Sequence, residues 1–133
     1  MNPGDPPILP TKTEPASLLV ACLCARWCNL CESYRATFDA AAARHPAHRF
    51  VWVDIEDEAD LVHAIDVENF PTLLIASPPE RLMFLGVLTP QPETLERVLK
   101  AAAEATLPRP VHGLDDEELQ SMLAGLRSRA GIA

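Results

Sequence analysis

The sequence predicts an α/β fold with a mixed four-stranded sheet and helices on both faces. Three observations predict it. Ser17–Ala25 is a continuous apolar run, which is typical of a strand buried on both faces. From Asn29 to about Arg44, apolar residues recur at helical spacing. Phe50–Ile55 is a second buried strand, rich in β-branched and aromatic residues. Together these segments predict a βαβ unit.

The segments that follow complete the sheet. Glu56–Asp66 begins as an acidic stretch and then becomes a short helix. Leu73–Ala76 and Leu82–Leu88 are predicted strands, and the turn Ser77–Glu80 between them makes an antiparallel hairpin. Pro92 to about Leu107 is a helix with proline in its first turn. A βαβ unit followed by a hairpin and a helix predicts a mixed sheet.

The two ends of the chain lie outside this predicted domain, which we place at residues 16–107. Residues 1–15 contain five prolines and no periodic pattern, so they are predicted to form an extended arm. Residues 108–133 are predicted to form a linker and an extra C-terminal helix. That helix has a strong start signal, because Asp115 suits the N-cap and Glu118 follows three residues later.

The extra helix carries an apolar stripe that must be buried. The stripe is formed by Leu119, Met122, Leu123 and Leu126. A helix of about 15 residues is marginal in water without tertiary packing. We expect the stripe to pack on the chain's own sheet or helices, and self-association through a second chain is the alternative.

Composition excludes several classes of function. The 133 residues suit one domain, and 19 acidic against 11 basic side chains give a net charge of −8. This charge disfavours nucleic acid and anionic membranes as partners. No apolar run approaches the roughly 18 to 20 residues of a membrane span, and the N-terminus lacks the basic start and apolar segment of a secretory signal. Because the four cysteines lie close together between Cys22 and Cys31, they do not resemble a disulfide scaffold, and a cytoplasmic location is predicted.

The chemistry-bearing motif is Cys28-Asn29-Leu30-Cys31, at the junction of a buried strand and a helix. Thiols three residues apart at a helix start are close enough to form a disulfide. Cys28 lies at the helix N-terminus, where unpaired N–H groups favour a thiolate, and the more shielded Cys31 is suited to resolve a mixed disulfide. A structural pair or half of a metal site is the alternative, but the βαβ context favours a redox pair.

Four segments carry a resemblance to a known family. They are residues 25–31 around the two cysteines, residues 53–56, residues 67–73 and Gly86. Over residues 17–107 the chain resembles the thioredoxin family. The resemblance implies a thioredoxin fold, here with a shortened N-terminus, and a thiol–disulfide oxidoreductase that maintains cell redox balance. It implies no cofactor other than a redox-active Cys28–Cys31 disulfide, and no metal.

The resemblance also assigns roles to residues. It makes Cys28 the nucleophile and Cys31 the resolving thiol, and it places Pro71 in the cis form beside them. The substrate groove that it implies is formed by Trp27, Asn29, Leu30, Phe70 and Pro71. The implied partners are a protein or small-molecule disulfide substrate and an upstream electron donor.

Four residues depart from the family pattern. Asn29-Leu30 replaces the usual Gly-Pro between the cysteines, Cys22 stands where a buried acid is expected, and Trp52 replaces its partner lysine. The acid and its counter-charge are lost together, which is consistent because neither is stable when buried alone. The lost acid favours an alternative function, a non-catalytic thioredoxin-fold binding or adaptor module that acts through the added helix and the altered groove.

The other two cysteines, Cys22 and Cys24, lie two apart on a strand and therefore point to one face. A zinc site or an iron–sulfur cluster is the alternative role for four clustered cysteines. We expect the strand and the helix start to diverge in direction, which disfavours such a site. We therefore expect Cys22 and Cys24 to be buried, reduced and unmetallated.

Overall fold

A computed structural model describes residues 18–62, 71–77, 81–108, 110 and 113–130. The elements within these ranges are β1 (Leu19–Cys24), α1 (Asn29–Arg44), β2 (Arg49–Asp54), α2 (Ala59–Val62), β3 (Thr72–Ser77), β4 (Arg81–Val87), α3 (Pro92–Ala103) and α4 (Asp116–Arg129). The predicted arm at residues 1–15, Phe70 and residues 78–80 of the predicted hairpin turn lie outside the described residues. Of the helices in the described ranges, none has the length and apolar character needed to cross a membrane.

The four strands form one mixed sheet in the order β2-β1-β3-β4. Strand β1 pairs in parallel with β2 and antiparallel with β3, and β3 pairs antiparallel with β4. The predicted mixed four-stranded sheet is therefore confirmed. Helix α3 ends at Ala103, earlier than the predicted end near Leu107, because Ala105 adopts a positive φ of 57° that takes the backbone out of the helix.

The central strand β1 divides the interior into two cores. All six of its residues are buried, as predicted for a strand covered on both faces. Val20, Cys22 and Cys24 belong to the first core, which contains the buried side chains of α1 and α3. Leu19 and the other odd-numbered residues of β1 belong to the second core, which contains α4. This division follows from the alternation of side chains along a strand.

Helix α1 lies over the first core and is held to α3 at its C-terminal end. Its buried residues are Cys31, Tyr34, Phe38 and Ala41. Arg44 and His45 both contact the carboxylate of Glu96 in α3, with His45 Nε2 2.7 Å from Glu96 Oε1. These contacts join the C-terminal end of α1 to α3 on the same side of the sheet.

Helix α4 covers the opposite face of the sheet. Met122, Leu123 and Leu126 are buried in the second core, so the apolar stripe packs on the chain's own sheet as expected. The predicted capping box is present: Asp115 Oδ1 accepts from the Glu118 backbone at 2.8 Å, and Glu118 Oε1 accepts from the Asp115 backbone at 3.1 Å. At the other end of the helix, Arg129 lies 2.7 Å from Glu58 in the loop after β2.

The packing of α4 predicts the effect of shortening its central side chain. Leu123 is fully buried, so Leu123→Ala should lower the free energy of unfolding by about 2 to 5 kcal/mol in urea titrations. Ser121→Ala is the matched control, because Ser121 lies on the exposed side of the same helix and its truncation should change stability little. Equal effects of the two substitutions would contradict the packing of α4 on the sheet.

Candidate active site

The loop between β1 and α1 positions Cys28. The Cys28 backbone N–H donates to the Ala25 carbonyl at 3.0 Å, which closes a tight turn directly after the strand. The Cys28 carbonyl then accepts from Glu32 at 3.2 Å, so Cys28 is the N-cap of α1, as predicted. Its side chain is partly exposed, and its thiol is free. The turn therefore presents one accessible thiol at a helix N-terminus, where the helix dipole favours negative charge.

Cys31 lies in the first turn of α1 and is almost completely buried, which agrees with its predicted shielding. Its sulfur is bonded to that of Cys24, with the two Cα atoms 5.9 Å apart. The structure therefore contains a Cys24–Cys31 disulfide and not the Cys28–Cys31 disulfide that the family resemblance implied. The expectation that Cys24 is reduced is wrong for the same reason.

The physical reason for this pairing is the direction of two side chains. Cys24 is the last residue of β1 and points into the first core, toward α1. Cys31 points inward from the first turn of α1 into the same core. The two side chains converge at the junction of strand and helix, whereas the sequence analysis assumed that they diverge. A Cα separation of 5.9 Å lies in the usual range for disulfides.

Cys22 is the second free cysteine and is fully buried. Its Sγ lies 3.8 Å from Cys24 Sγ, so Cys22 forms a cluster of three sulfur atoms with the Cys24–Cys31 disulfide. Burial raises the pKa of the Cys22 thiol far above its usual range, although the positive charge of Arg35 acts in the opposite direction. Cys22 is therefore a neutral thiol. Among the described residues, no group of three His, Cys, Asp or Glu side chains is arranged to hold a metal ion.

Two of the residues that depart from the family pattern, Cys22 and Trp52, are neighbours in the sheet. Cys22 of β1 pairs in register with Trp52 of β2. Trp52 packs edge-on against Phe38, and the Arg35 guanidinium lies 4.7 Å from the centre of its ring. An apolar pair with a cation over its outer side thus occupies the place of a buried acid and lysine. Apolar packing of this kind avoids the desolvation cost of a buried ion pair.

Tyr34 completes the apolar side of the site. Its ring is buried in the first core, and among the described residues its hydroxyl has no hydrogen-bond partner. Burial, with a smaller contribution from Cys22, raises the pKa of Tyr34 to about 12. The interior beside the disulfide is therefore an environment in which a charged oxygen or sulfur is poorly solvated.

The outer rim of the site is apolar and acidic. Trp27 and Leu30 are exposed, at 65% and 42% of their surfaces, on either side of Cys28. Trp27 Nε1 donates to Glu56 Oε2 at 3.2 Å, which fixes the indole against the loop after β2. Arg26 forms an ion pair with Asp57 in the same loop. The acidic stretch is thus the second wall of the site.

The predicted groove residues are only partly covered by the structure. Trp27, Asn29 and Leu30 surround Cys28 and are exposed. Pro71 is buried directly before β3, and the β1–β3 register, continued by one residue, places it opposite Cys24. Phe70 lies outside the described residues, so the cis form of the Phe70–Pro71 bond stays a prediction.

Cys24 is the site residue whose disulfide with Cys31 the sequence did not predict. The signal was present, because alternation along β1 puts Cys24 on the same face as the residues that contact α1. Glu56 was missed as well, since its contact with Trp27 joins two segments that are 29 residues apart.

Comparisons with known proteins agree with the fold described above. The family model described as Thioredoxin matches residues 12–92. A protein named putative thioredoxin H10 from Arabidopsis thaliana is 30% identical over 94 residues, which are 70% of this chain. The chain spans 59% of the length of that relative.

Solved structures show the likeness of the fold. Thioredoxin from Trypanosoma brucei brucei superimposes with a TM-score of 0.58 and 24% identity, covering 70% of this chain and 80% of that one. Thioredoxin from Fasciola hepatica gives a TM-score of 0.59 at 18% identity, covering 68% and 86%. Mitochondrial thioredoxin 3 from Saccharomyces cerevisiae gives 0.56 at 22% identity, covering 67% and 82%.

The burial of Tyr34 predicts its titration. Tyr34 is the single tyrosine of the chain, so the ultraviolet absorbance of tyrosinate reports on it alone. The absorbance should rise with a midpoint at about pH 12 in the folded protein and at about pH 10 in urea. Because the folded state holds this proton more tightly, stability should fall as the pH rises from about 10 to about 12. Tyr34→Phe gives the background signal, and a midpoint near 10 in the folded protein would contradict the burial.

Proposed function

The chain belongs to the thioredoxin family, and we propose that it is a thiol–disulfide oxidoreductase that reduces protein disulfides through Cys28 and Cys31. One observation carries the proposal: a free, accessible thiol at a helix N-terminus lies three residues before a buried cysteine whose sulfur is already in a disulfide. This arrangement supports a role for Cys31 in disulfide exchange and a role for Cys28 in contact with the substrate.

The proposed reaction begins with both thiols reduced. The Cys28 thiolate attacks one sulfur of the substrate disulfide, that bond breaks, and the other substrate sulfur leaves as a thiolate. Cys31 then loses its proton and attacks Cys28 Sγ, which releases the second substrate thiolate. A Cys28–Cys31 disulfide is left, and two electrons have passed from the protein to the substrate. An upstream electron donor restores the dithiol.

The rim supports a protein rather than a small molecule as the substrate. Trp27 and Leu30 form an exposed apolar surface around the nucleophile, and such surfaces mark sites of protein contact. The contact between Trp27 and Glu56 holds the indole in place before a substrate binds. An extended substrate segment could lie across this surface beside Pro71.

The cysteine pattern supports a reducing compartment as the place of action. Disulfides in cytoplasmic proteins are usually transient and belong to redox chemistry, while structural disulfides belong to oxidising compartments. Here the disulfide joins residues seven positions apart beside a free thiol, so it closes a short loop and constrains the unfolded chain less than a disulfide across a long loop would. We therefore assign the protein to the cytoplasm, with a reductase or a thiol pool as its donor.

The roles of the two cysteines are tested by insulin reduction with dithiothreitol as the donor. The wild-type protein should accelerate precipitation of the insulin B chain over dithiothreitol alone. Cys28→Ser should return the rate to that of dithiothreitol alone, because the attacking sulfur is gone, and Cys31→Ser should accumulate a mixed disulfide on Cys28. Ser33→Ala, an exposed change on the same helix turn, is the control and should keep full activity.

A wild-type protein without any effect on insulin, together with an unmodified Cys28 in the Cys31→Ser variant, would refute the reductase function. It would favour the alternative function as a binding module with the same fold.

The substrate class is tested by removing the exposed indole. Trp27→Ala should raise the KM for insulin several-fold while the reaction of Cys28 with a small aromatic disulfide keeps its rate, since only the protein substrate needs the apolar surface. Glu56→Gln is the conservative control. Its amide oxygen still accepts the hydrogen bond from the indole N–H, so KM should change little. Equal loss with both substrates in Trp27→Ala would show that the indole acts on Cys28 itself and not on docking.

A further inference from the structure

We propose that Cys24 is a third redox-active cysteine that takes the disulfide of Cys31 over from Cys28, so that the oxidised protein keeps a free thiol at Cys28. The inference rests on the proposed function, because the Cys28–Cys31 disulfide is the product of a reductase turnover. It adds a residue and a step that a two-cysteine mechanism does not contain.

The exchange is balanced in atoms and electrons. Cys24 loses its proton and attacks Cys31 Sγ, the Cys28–Cys31 bond breaks, and Cys28 leaves as a thiolate that can take up the proton. One S–S bond forms and one is lost, and no oxidant or reductant is needed. The product is the arrangement in the structure, with Cys24 bonded to Cys31 and Cys28 free.

Geometry brings both partners within reach of one sulfur. Cys31 is directed into the junction of β1 and α1, where Cys24 ends the strand, and their Cα atoms are 5.9 Å apart. Cys28 begins the same helix three residues earlier and packs against the same core from its edge. Cys31 is thus the shared centre, with one partner inside the core and one at the surface.

Solvation gives the exchange its direction. Cys24 is 1% exposed, whereas Cys28 is partly exposed at a helix N-terminus. A free thiolate is stabilised by water and by the helix dipole, so the sulfur of Cys28 is the better leaving group. A disulfide is uncharged and apolar, and it suits the interior. The Cys24–Cys31 pairing therefore keeps the uncharged disulfide in the core and the free sulfur of Cys28 at the surface.

The neighbouring thiol supports a reactive role for Cys24. In the disulfide, Cys24 carries no hydrogen, so the Cys22 S–H is the donor across the 3.8 Å contact between their sulfur atoms. The same donor lies beside Cys24 when that sulfur carries negative charge during exchange. Without it, the charge would develop in a core lined by Tyr34 and other apolar side chains.

Trypsin distinguishes the two disulfides directly. Arg26 lies between Cys24 and Cys28, and the next basic residue is Arg35. Cleavage therefore puts Cys22 and Cys24 in the peptide 13–26, and Cys28 and Cys31 in the peptide 27–35. A Cys24–Cys31 disulfide joins the two peptides, whereas a Cys28–Cys31 disulfide closes a loop within one peptide.

The full chain should be reduced, mixed with oxidised dithiothreitol, quenched with acid at successive times, alkylated with N-ethylmaleimide and mapped by mass spectrometry. We expect the closed loop in 27–35 first, and the joined peptides with alkylated Cys28 at equilibrium. A closed loop that persists at equilibrium, with Cys24 alkylated after denaturation, would overturn the proposal.

Variants give a second, quantitative readout. Oxidation of Cys24→Ser should stop at the closed loop. Its equilibrium constant for oxidation by glutathione disulfide should therefore be lower than that of the wild type, by a factor of one plus the wild-type ratio of joined to closed forms. Ser33→Ala is the control, because Ser33 is exposed near the start of α1 and takes no part in the exchange, so the joined peptides should be unchanged. An unchanged equilibrium constant in Cys24→Ser would count against the exchange.

The two proposals fail in different ways. An active wild type in the insulin assay with a persistent closed loop would overturn the role of Cys24 and leave the reductase function standing. Joined peptides that form through the closed loop in a protein without insulin activity would support the role of Cys24 and overturn the reductase function.

Discussion

Burial of β1 on both faces is the constraint on which the rest of the structure depends. Each of its residues is almost completely removed from water, so each face needs its own cover of apolar side chains. Helices α1 and α3 cover one face, and α4 covers the other. The same strand carries two of the four cysteines, and its alternation turns both of them toward α1. The packing of the core thereby determines which sulfur atoms can meet.

The free thiol of Cys28 and the Cys24–Cys31 disulfide lie at the boundary between that core and water. A thiolate inside the first core would lose most of its solvation, and the raised pKa of Cys22 expresses this cost. Cys28, at the N-cap of α1, is both partly exposed and close to the positive end of the helix dipole. We therefore assign the proposed attacking role to Cys28, while the buried sulfur atoms of Cys24 and Cys31 hold the disulfide. The Cys22–Trp52 pair extends the apolar core to the disulfide where a charged pair would have brought polarity.

Helix α4 has a structural role that the site requires indirectly. By covering the second face of the sheet, it allows β1 to remain a central strand. Its contact with Glu58 also ties it to the loop after β2, whose residues Glu56 and Asp57 hold the rim of the site through Trp27 and Arg26. The acidic loop therefore links the C-terminal helix to the surface around Cys28.

The sequence by itself determined the elements, because their signals are local. The apolar run of β1, the helical period of α1, and the cap formed by Asp115 and Glu118 each lie within a few residues, and each was predicted at or close to its observed position. The accessible position of Cys28 and the shielding of Cys31 followed from the same local pattern. Only the tertiary structure decided the partner of Cys31. That choice depends on how packing in the first core brings the end of β1 and the first turn of α1 together. The anchoring of Trp27 by Glu56 was decided in the same way, since no pattern along the chain records which loops the fold brings together.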